Sequence, residues 1–591
     1  MKSLFRGLLW PVEPLLETAR GYSFAKLRRD AVAGLTVSVV ELPQAMAYAL
    51  VAGVPPEYGI YTSIIQGSIS AMLSSSEHIT SGPTNTQSLL VASAISRLTN
   101  NPAIYLKLVF ALTMLKGIIQ LAFAAARMGR LVRYVSRSVI VGVAGGAGVL
   151  IIAGQIPNLL GIDPGAGRSA LPGVAGMLAR SLPQIHGTNM LALWVGLGCL
   201  GLMAALRVLS PLLPGSLLAV ACSAALVAGA GWEARVPVIG SLPRAFPAPQ
   251  LPQATWGEIE SLLGGALALA VLGMLESVAI ARSIAARSGD RIEANREFFA
   301  QGVSNLASSF FQCMPGSGSF TRSALDYSAG AASRFAAVFN ALFVGSMFWV
   351  LAGQARFIPY ASLAAVLLTI AVGLIDWRYI WKTFRVDRGE AAVCLATFAA
   401  TVFAPLEYAI FIGIFMSIAT YLHKAGHLHL AEMYFAPGGK FLERPLADRS
   451  GERPVMFLQL EGDLFFAVAD ELEDHLMALA GGDARVVILR LKRTHSIDVT
   501  VLEVLERFVR LMRRRGRHVI LCGLRDETRR LLARAGLEAL VGRENMFLTG
   551  TGIFDSAKRA VRRARDLLGA SIDAEGIPAD DEEPEEPTYE I

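Results

Sequence analysis

The chain is short of charge. Of its 591 residues 17% are Asp, Glu, Lys or Arg, while 53% are hydrophobic. Soluble proteins carry about a quarter charged residues, so one large soluble globule is excluded. Cysteine is scarce as well. Cys199, Cys222, Cys313, Cys394 and Cys522 fall mostly in apolar runs without metal-ligand spacing, which leaves neither a disulfide framework nor a cysteine-held metal. No G-x-x-x-x-G-K-[ST] run is present, so nucleotide-driven pumping lacks its phosphate cradle. No nucleophile triad stands out, and neither catalysis nor a cofactor is expected. Nucleic acid is not an expected partner either, because basic residues sit beside apolar runs and the net charge of +6 reports topology. Glu13, Glu17, Arg28 and Arg29 precede the first apolar run, a pattern unlike a cleavable signal. His423, His427 and His429 follow the last run and are expected to be solvated rather than metal-bound.

What the chain has is apolar length. Runs at 31–53, 108–126, 139–155, 191–206, 217–231, 335–352 and 391–406 are nearly free of charge, and several approach the roughly 20 residues that cross a bilayer as a helix. Basic clusters alternate between the loops. Lys26, Arg28 and Arg29 precede the first span; Arg127, Arg130, Arg133 and Arg137 follow the fourth; Arg282, Arg287, Arg291 and Arg296 follow the eighth; Arg378, Lys382, Arg385 and Arg388 follow the twelfth. The intervening loops carry almost no Lys or Arg, so the N-terminus and the even-numbered loops are expected on the cytoplasmic side. The count is about 14 spans, seven plus seven. An odd number per half turns the second half over relative to the first, which is an inverted repeat.

Two segments are interrupted at matching places. One reads Gly82-Pro83-Thr84-Asn85-Thr86-Gln87-Ser88, the other Pro315-Gly316-Ser317-Gly318-Ser319-Phe320-Thr321-Arg322, about 233 residues later. Helix-compatible stretches follow at 89–95 and 324–330. Glu41 and Glu276 stand at nearly the same offset. A helix that begins inside the membrane has unpaired N–H groups and about half a positive charge at its first turn, and two such ends face to face make an anion site. Thr84, Asn85, Thr86, Ser319, Phe320 and Thr321 would surround the anion, and Arg322 would add positive field. An intramembrane Arg must face protein or a wet cavity. Glu276, Asp326 and a backbone carbonyl are its candidate partners. Glu41 and Glu276, carboxylates inside apolar runs, are candidates for proton coupling.

Past His423 the pattern changes. β-like runs at 455–460, 486–491 and 518–522 alternate with amphipathic helices at 469–479, 499–514 and 526–535, which predicts a small cytoplasmic α/β domain. The expected domains are an N-terminal segment 1–29, a membrane domain 30–425, the α/β domain 437–566, and an acidic disordered tail 570–591.

Several ordered motifs then resemble one family. Residues 40–61 (VELPQAMAYALVAGVPPEYGIY) are similar to the first-helix signature of the SulP sulfate permeases, as is Gly82-Pro83-Thr84 before a short third helix. Residues 300–311 (AQGVSNLASSFF) and 318–324 (GSFTRSA) resemble the ninth and tenth segments. Residues 460–467 (LEGDLFFA) and 521–524 (LCGL) resemble the STAS domain that closes such chains. The resemblance implies 14 segments in a uracil-permease-like fold, with a core domain (segments 1–4 and 8–11) and a gate domain (5–7 and 12–14). It also implies an elevator-like cycle, a homodimer in a bacterial inner membrane, and a sulfate-type anion, with bicarbonate or a dicarboxylate as further candidates. It places Gln44 and Tyr48, four apart on one helix face, against the anion. Glu276 falls where sodium-coupled relatives carry an acidic residue, but Ile280 stands where a hydroxyl would help, so protons are expected over sodium. Thr500, beside Asp498 at a helix start, matches a phosphorylatable position of related STAS proteins and is otherwise an N-terminal cap; a cytoplasmic partner for this domain is expected. A nucleobase permease of the same fold and an anion channel are the competing readings.

Overall fold

The computed structural model describes residues 13–129, 135–162, 173–209, 214–244, 246, 248–436, 440–445, 454–550, 552 and 554–569. The acidic segment 570–591 and the basic pair Arg130 and Arg133 lie outside them. The chain divides into two units, Met1–Ile418 and Ala419–Ile591.

The first unit is helical. After a short α1 (Glu13–Arg20) come α2 (Phe24–Val51), α3 (Pro56–Leu73), α4 (Asn85–Ile95), α5 (Pro102–Ala125), α6 (Arg137–Leu160), α7 (Gly173–Ser181), α8 (Met190–Leu209) and α9 (Gly215–Ala230). The second half runs α10 (Trp256–Ser288), α11 (Ala294–Ser309), α12 (Phe320–Ser328), α13 (Phe335–Leu351), α14 (Tyr360–Leu374), α15 (Trp377–Val386), α16 (Arg388–Phe403) and α17 (Leu406–Ala425). With the short helices α1, α7 and α15 set aside, each half has seven segments among the described residues, and α7 and α15 each follow the fifth of their half. Among the described residues, seven helical stretches are long and apolar enough to cross a membrane unaided.

The two breaks are more than kinks. Ser81–Gly82 (β1) and Ser317–Gly318 (β2) are extended and pair antiparallel, Ser81 opposite Gly318 and Gly82 opposite Ser317. Hydrocarbon offers no water, so irregular backbone at this depth must bond to protein, and each break supplies the other's partner. The helices behind them are short: 11 residues in α4 and 9 in α12, about 16 and 14 Å at 1.5 Å per residue, half a hydrocarbon core. Both start about four residues earlier than the apolar pattern indicates. Polar residues 85–88 and 321–323 look like loop in a sequence; here they are first-turn residues, and most are buried against protein. The caps are Thr84 and Ser319, 235 positions apart, as are Glu41 and Glu276.

Helices α2–α5 and α10–α13 pack together, and α6, α8, α9, α14 and α16 form a second group, with Gly413 of α17 against Thr397 and Val139 of that group. Glycines permit the close approaches. A Cβ at Gly117 of α5 would strike the Leu306 backbone of α11, and one at Gly302 of α11 would strike Leu121 of α5. In the second group Gly142 and Gly146 of α6 lie against Cys394 and Thr401 of α16. Small residues at such crossings let helices gain dispersion contact where lipid removes the hydrophobic drive. Buried carboxylates tie the halves together at the loop ends. Asp30 accepts the N–H groups of Ala332 (2.6 Å) and Ser333 (3.0 Å), and Glu297 accepts those of Ser75 (2.8 Å) and Ser76 (3.2 Å).

The second unit is an α/β layer. Its sheet has the order β4-β3-β5-β6-β7-β8, formed by His429–Ala436 (β3), Lys440–Pro445 (β4), Val455–Leu464 (β5), Val486–Ile497 (β6), His518–Leu524 (β7) and Met546–Leu548 (β8). Strands β5 to β8 run parallel. The continuous apolar runs of β5 to β7 are the mark of strands covered on both faces. One face packs on α18 (Phe466–Gly481), α19 (Val499–Arg514), α20 (Asp526–Arg534) and α21 (Leu537–Val541), the other on α22 (Asp555–Leu568). The β3–β4 hairpin, β8 and α22 had no counterpart in the sequence pattern.

Candidate functional site

The site is the crossing of the two breaks. On one side Thr84 caps α4, its Oγ1 accepting the Gln87 N–H at 3.5 Å and lying 3.4 Å from Ser317 Oγ of the other repeat. On the other side Ser319 precedes α12 in an extended conformation and makes no side-chain cap bond; its N–H donates to the Thr80 carbonyl at 2.9 Å. Asn85 and Thr86 are buried, whereas Phe320 and Thr321 are exposed, Phe320 by 56%. The first turn of α12 therefore faces open space while that of α4 is walled in. Helix α2 packs on both half-helices. Its Gln44 and Tyr48 are buried, with Tyr48 in electrostatic reach of Arg322 and Glu41.

Arg322 is fully buried. Its Nη1 donates to the Pro83 carbonyl at 3.0 Å and lies 3.4 Å from Glu41 Oε1. Of the candidate partners, neither Glu276 nor Asp326 pairs with it; Glu41 does, together with a carbonyl of the opposite break. The reason is the antiparallel pairing, which carries α12 across to the first repeat. Glu41 Oε2 also accepts from Asn340 Nδ2 at 2.6 Å. Arg322 Nε and Nη2 and Asn85 Nδ2 have no protein partner among the described residues. A Cβ on Gly82 would sit 3.0 Å from Arg322 Nη2 and 3.1 Å from Glu41 Oε1, so a larger residue would crowd the ion pair.

Glu276 is held from the other side. Its carboxylate accepts from Thr86 Oγ1 and from Ser317 Oγ at 2.9 Å, and it remains partly accessible. Behind it stands Lys116 of α5, fully buried, whose ammonium donates to Gln87 Oε1 and to the Gly316 carbonyl, both at 2.6 Å. Asn305 grips the same break, its Nδ2 on the Gly316 carbonyl and its Oδ1 on the Gly316 N–H, both at 3.2 Å. Gln301 Nε2 bonds Ser81 Oγ at 2.8 Å.

Sequence reasoning missed Lys116, Gln87, Ser317, Asn305 and Asn340. A lone lysine in the apolar run 108–126 was a visible signal for the first; nothing in the spacing pointed to the others. His78 and Asp326 form a further buried pair at 3.4 Å behind α12. In the second unit, the cap of α19 is Asp498, which accepts the Val501 N–H at 2.9 Å; the capping role considered for Thr500 belongs to its neighbour. Thr500 is exposed on the first turn. An apolar cavity of about 340 Å³ lies between α2, α9 and the segment 351–358. Its walls hold almost no polar group, so it is unsuited to a bare anion.

Comparison with known proteins agrees with this architecture. The model of the sulfate permease family matches residues 27–397, and that of the STAS domain residues 448–551. The chain is 27% identical over 535 residues to the putative sulfate transporter YvdB of Bacillus subtilis, covering 89% of this chain and 97% of that one. It is 28% identical over 554 residues to the probable sulfate transporter Rv1739c of Mycobacterium tuberculosis, covering 92% and 97%. Among solved structures, SLC26A9 superposes with a TM-score of 0.87 at 18% identity over 96% of this chain and 95% of that one. The transmembrane domain of the cyanobacterial bicarbonate transporter BicA gives 0.59 at 22% identity over 67% and 98%. With paired half-helices in a seven-plus-seven membrane unit, a STAS unit following it in the chain, and a family model matched along most of the membrane segments, the chain belongs to the sulfate permease family of membrane transporters.

Proposed function

We propose that the chain is a secondary active carrier of a small oxyanion of the sulfate type. It would work as a homodimer in a bacterial inner membrane, with both termini cytoplasmic. The observation that carries this reading is the meeting of two half-helix N-termini from opposite repeats, with Arg322 between them. Each helix end contributes about half a positive charge. The donors without protein partners, Arg322 Nε and Nη2 and Asn85 Nδ2, supply directed hydrogen bonds. Thr86, Ser319, Phe320 and Thr321 line the same crossing, and Gln44 and Tyr48 close it from α2. The relatives named as sulfate transporters support the cargo; bicarbonate and small dicarboxylates share its chemistry.

In the proposed cycle the anion settles between the half-helix ends. The core group, α2–α5 with α10–α13, then carries it past the gate group. Glu276, accessible and held by two hydroxyls, takes the coupling proton. The STAS unit regulates through a cytoplasmic partner, with Thr500 as its phosphate acceptor at a helix start, where added negative charge is favourable. The nucleobase reading needs carboxylates to hold a neutral base at the centre; here Arg322 engages Glu41, and the second break presents Thr321 and Arg322, which favour an anion. Counterflow in proteoliposomes tests the proposal. Internal unlabelled sulfate should drive uptake of labelled sulfate with saturating kinetics, and Thr321→Asp should abolish it. Counterflow supported by uracil and not by any anion, or flux that never saturates, would overturn it.

A further inference from the structure

We infer that Lys116 is a tethered counter-ion: its ammonium fills the monovalent-cation position beside Glu276, so that anion transport by this chain needs no dissolved metal cation. The inference deepens the transport reading and rests on it.

The repeat makes the case. Counting from the caps, Gln87 is the third residue after Thr84 and Arg322 the third after Ser319. The two side chains thus hold equivalent places. In the second half that place carries a cation, and Arg322 crosses to compensate Glu41 of the first half. In the first half it carries a neutral amide, which cannot compensate Glu276. Lys116 makes up the difference. It belongs to the first half, passes its charge across to the second, and is held by Gln87 Oε1 itself at 2.6 Å. The two side chains are held by adjacent residues of both breaks: Lys116 by Gln87 and Gly316, Glu276 by Thr86 and Ser317. Each of the two repeat-related carboxylates thereby receives one cation from the opposite repeat.

The surroundings of the ammonium are those of a coordinated ion. An amide oxygen of Gln87 and the Gly316 backbone carbonyl, both at 2.6 Å, hold it, oxygen donors of the kind that hard cations take. The carbonyl comes from the break, where backbone is free of a helix. Room for the side chain is built in: a Cβ on Gly273, one turn before Glu276, would lie 3.3 Å from Lys116 Nζ and 3.4 Å from Cε. Ile280, one turn after Glu276, brings no oxygen to this place. A metal ion entering would have to displace a fully buried lysine side chain.

The test uses the full-length protein, with Na⁺, K⁺ or choline as the only cation and gluconate as the salt. Thermal unfolding is followed without transported anion, so it reads the cation position even if sulfate is not the cargo. The wild type should show no cation-specific shift, and its labelled-sulfate uptake should agree within twofold across the three cations. Lys116→Ala should lose at least tenfold of its uptake in choline. It should recover severalfold in Na⁺, with a saturable Na⁺-specific rise in Tm. Lys116→Ala/Glu276→Gln should lose that Na⁺ response. Should Lys116→Ala fail to fold, recovery of folded protein in the double variant is the expected result, because removing both charges leaves none uncompensated. The inference is overturned by a Na⁺ response in the wild type. Equal behaviour of Lys116→Ala in all three cations, or a double variant less stable than either single one, would overturn it as well.

Discussion

Glu41 and Glu276 occupy the same place in the two halves of the membrane unit and live in different surroundings. Glu41 is fully buried, clamped between a guanidinium at 3.4 Å and an amide at 2.6 Å. Glu276 is partly accessible, bonded to two hydroxyls, with its compensating ammonium held by other acceptors. A carboxylate bonded by fixed donors and shut from water is costly to alter, because removing one partner leaves an uncompensated buried charge. One held by hydroxyls can exchange a proton, since a hydroxyl donates or accepts as needed. The first-half carboxylate is suited to locking the crossing and the second-half one to titrating.

The sharpest way to break this contrast is at Arg322. Arg322→Met should abolish anion uptake and destabilise the protein by about 3–5 kcal/mol, the cost of stranding a buried charge. Adding Glu41→Gln should restore most of the stability and none of the uptake. Thermal unfolding and proteoliposome flux on the three variants decide it, and an Arg322→Met protein that folds and transports normally removes the lock. Gly316→Ala comes next. Its Cβ would collide with the Gly82 carbonyl and Gln66, so β1 and β2 should separate at about 1–3 kcal/mol, with uptake down at least tenfold.

Glu276→Gln leaves the Lys116 ammonium without its counter-charge but still bonded to Gln87 and the Gly316 carbonyl, so it should cost about 1–3 kcal/mol and change coupling more than stability. Wild-type uptake should rise as external pH falls, since protons then load Glu276, whereas the variant should be flat across the same range. A variant that keeps the wild-type pH profile would assign the proton elsewhere. The smallest effects separate the two caps. Thr84→Ala should cost about 1 kcal/mol through the lost cap. Ser319→Ala, where no side-chain cap bond exists, should leave unfolding within about 0.5 kcal/mol and weaken anion affinity severalfold, as read by isothermal titration.

Much of the membrane unit was legible in the sequence because bilayer crossing is a local requirement: about 20 apolar residues per helix, with basic residues on one side. The breaks were legible because Gly82-Pro83 and Pro315-Gly316 cannot continue a helix. Where the half-helices begin was less so, since Asn85, Thr86, Thr321 and Arg322 have loop-like character until their partners are known. Lys116 was visible as an oddity in an apolar run and remained without a role, because its acceptors lie 29 and 200 residues away. In the STAS unit, the buried parallel strands and the helix α19 stood out by their apolar runs and amphipathic period, while the edge hairpin β3–β4 did not.

That this chain crosses a membrane in two related halves, each interrupted once, follows from the length and polarity of contiguous segments. Which cation serves which carboxylate depends on how the two halves fold against each other. Arg322 goes to Glu41 and not to Glu276, because β1 and β2 pair antiparallel and carry each half-helix across to the other repeat. Bonds such as those from Arg322 to Pro83 and from Asn340 to Glu41 join residues 239 and 299 positions apart. No spacing rule reaches that far; the meeting point is set by the satisfaction of broken backbone in a medium without water.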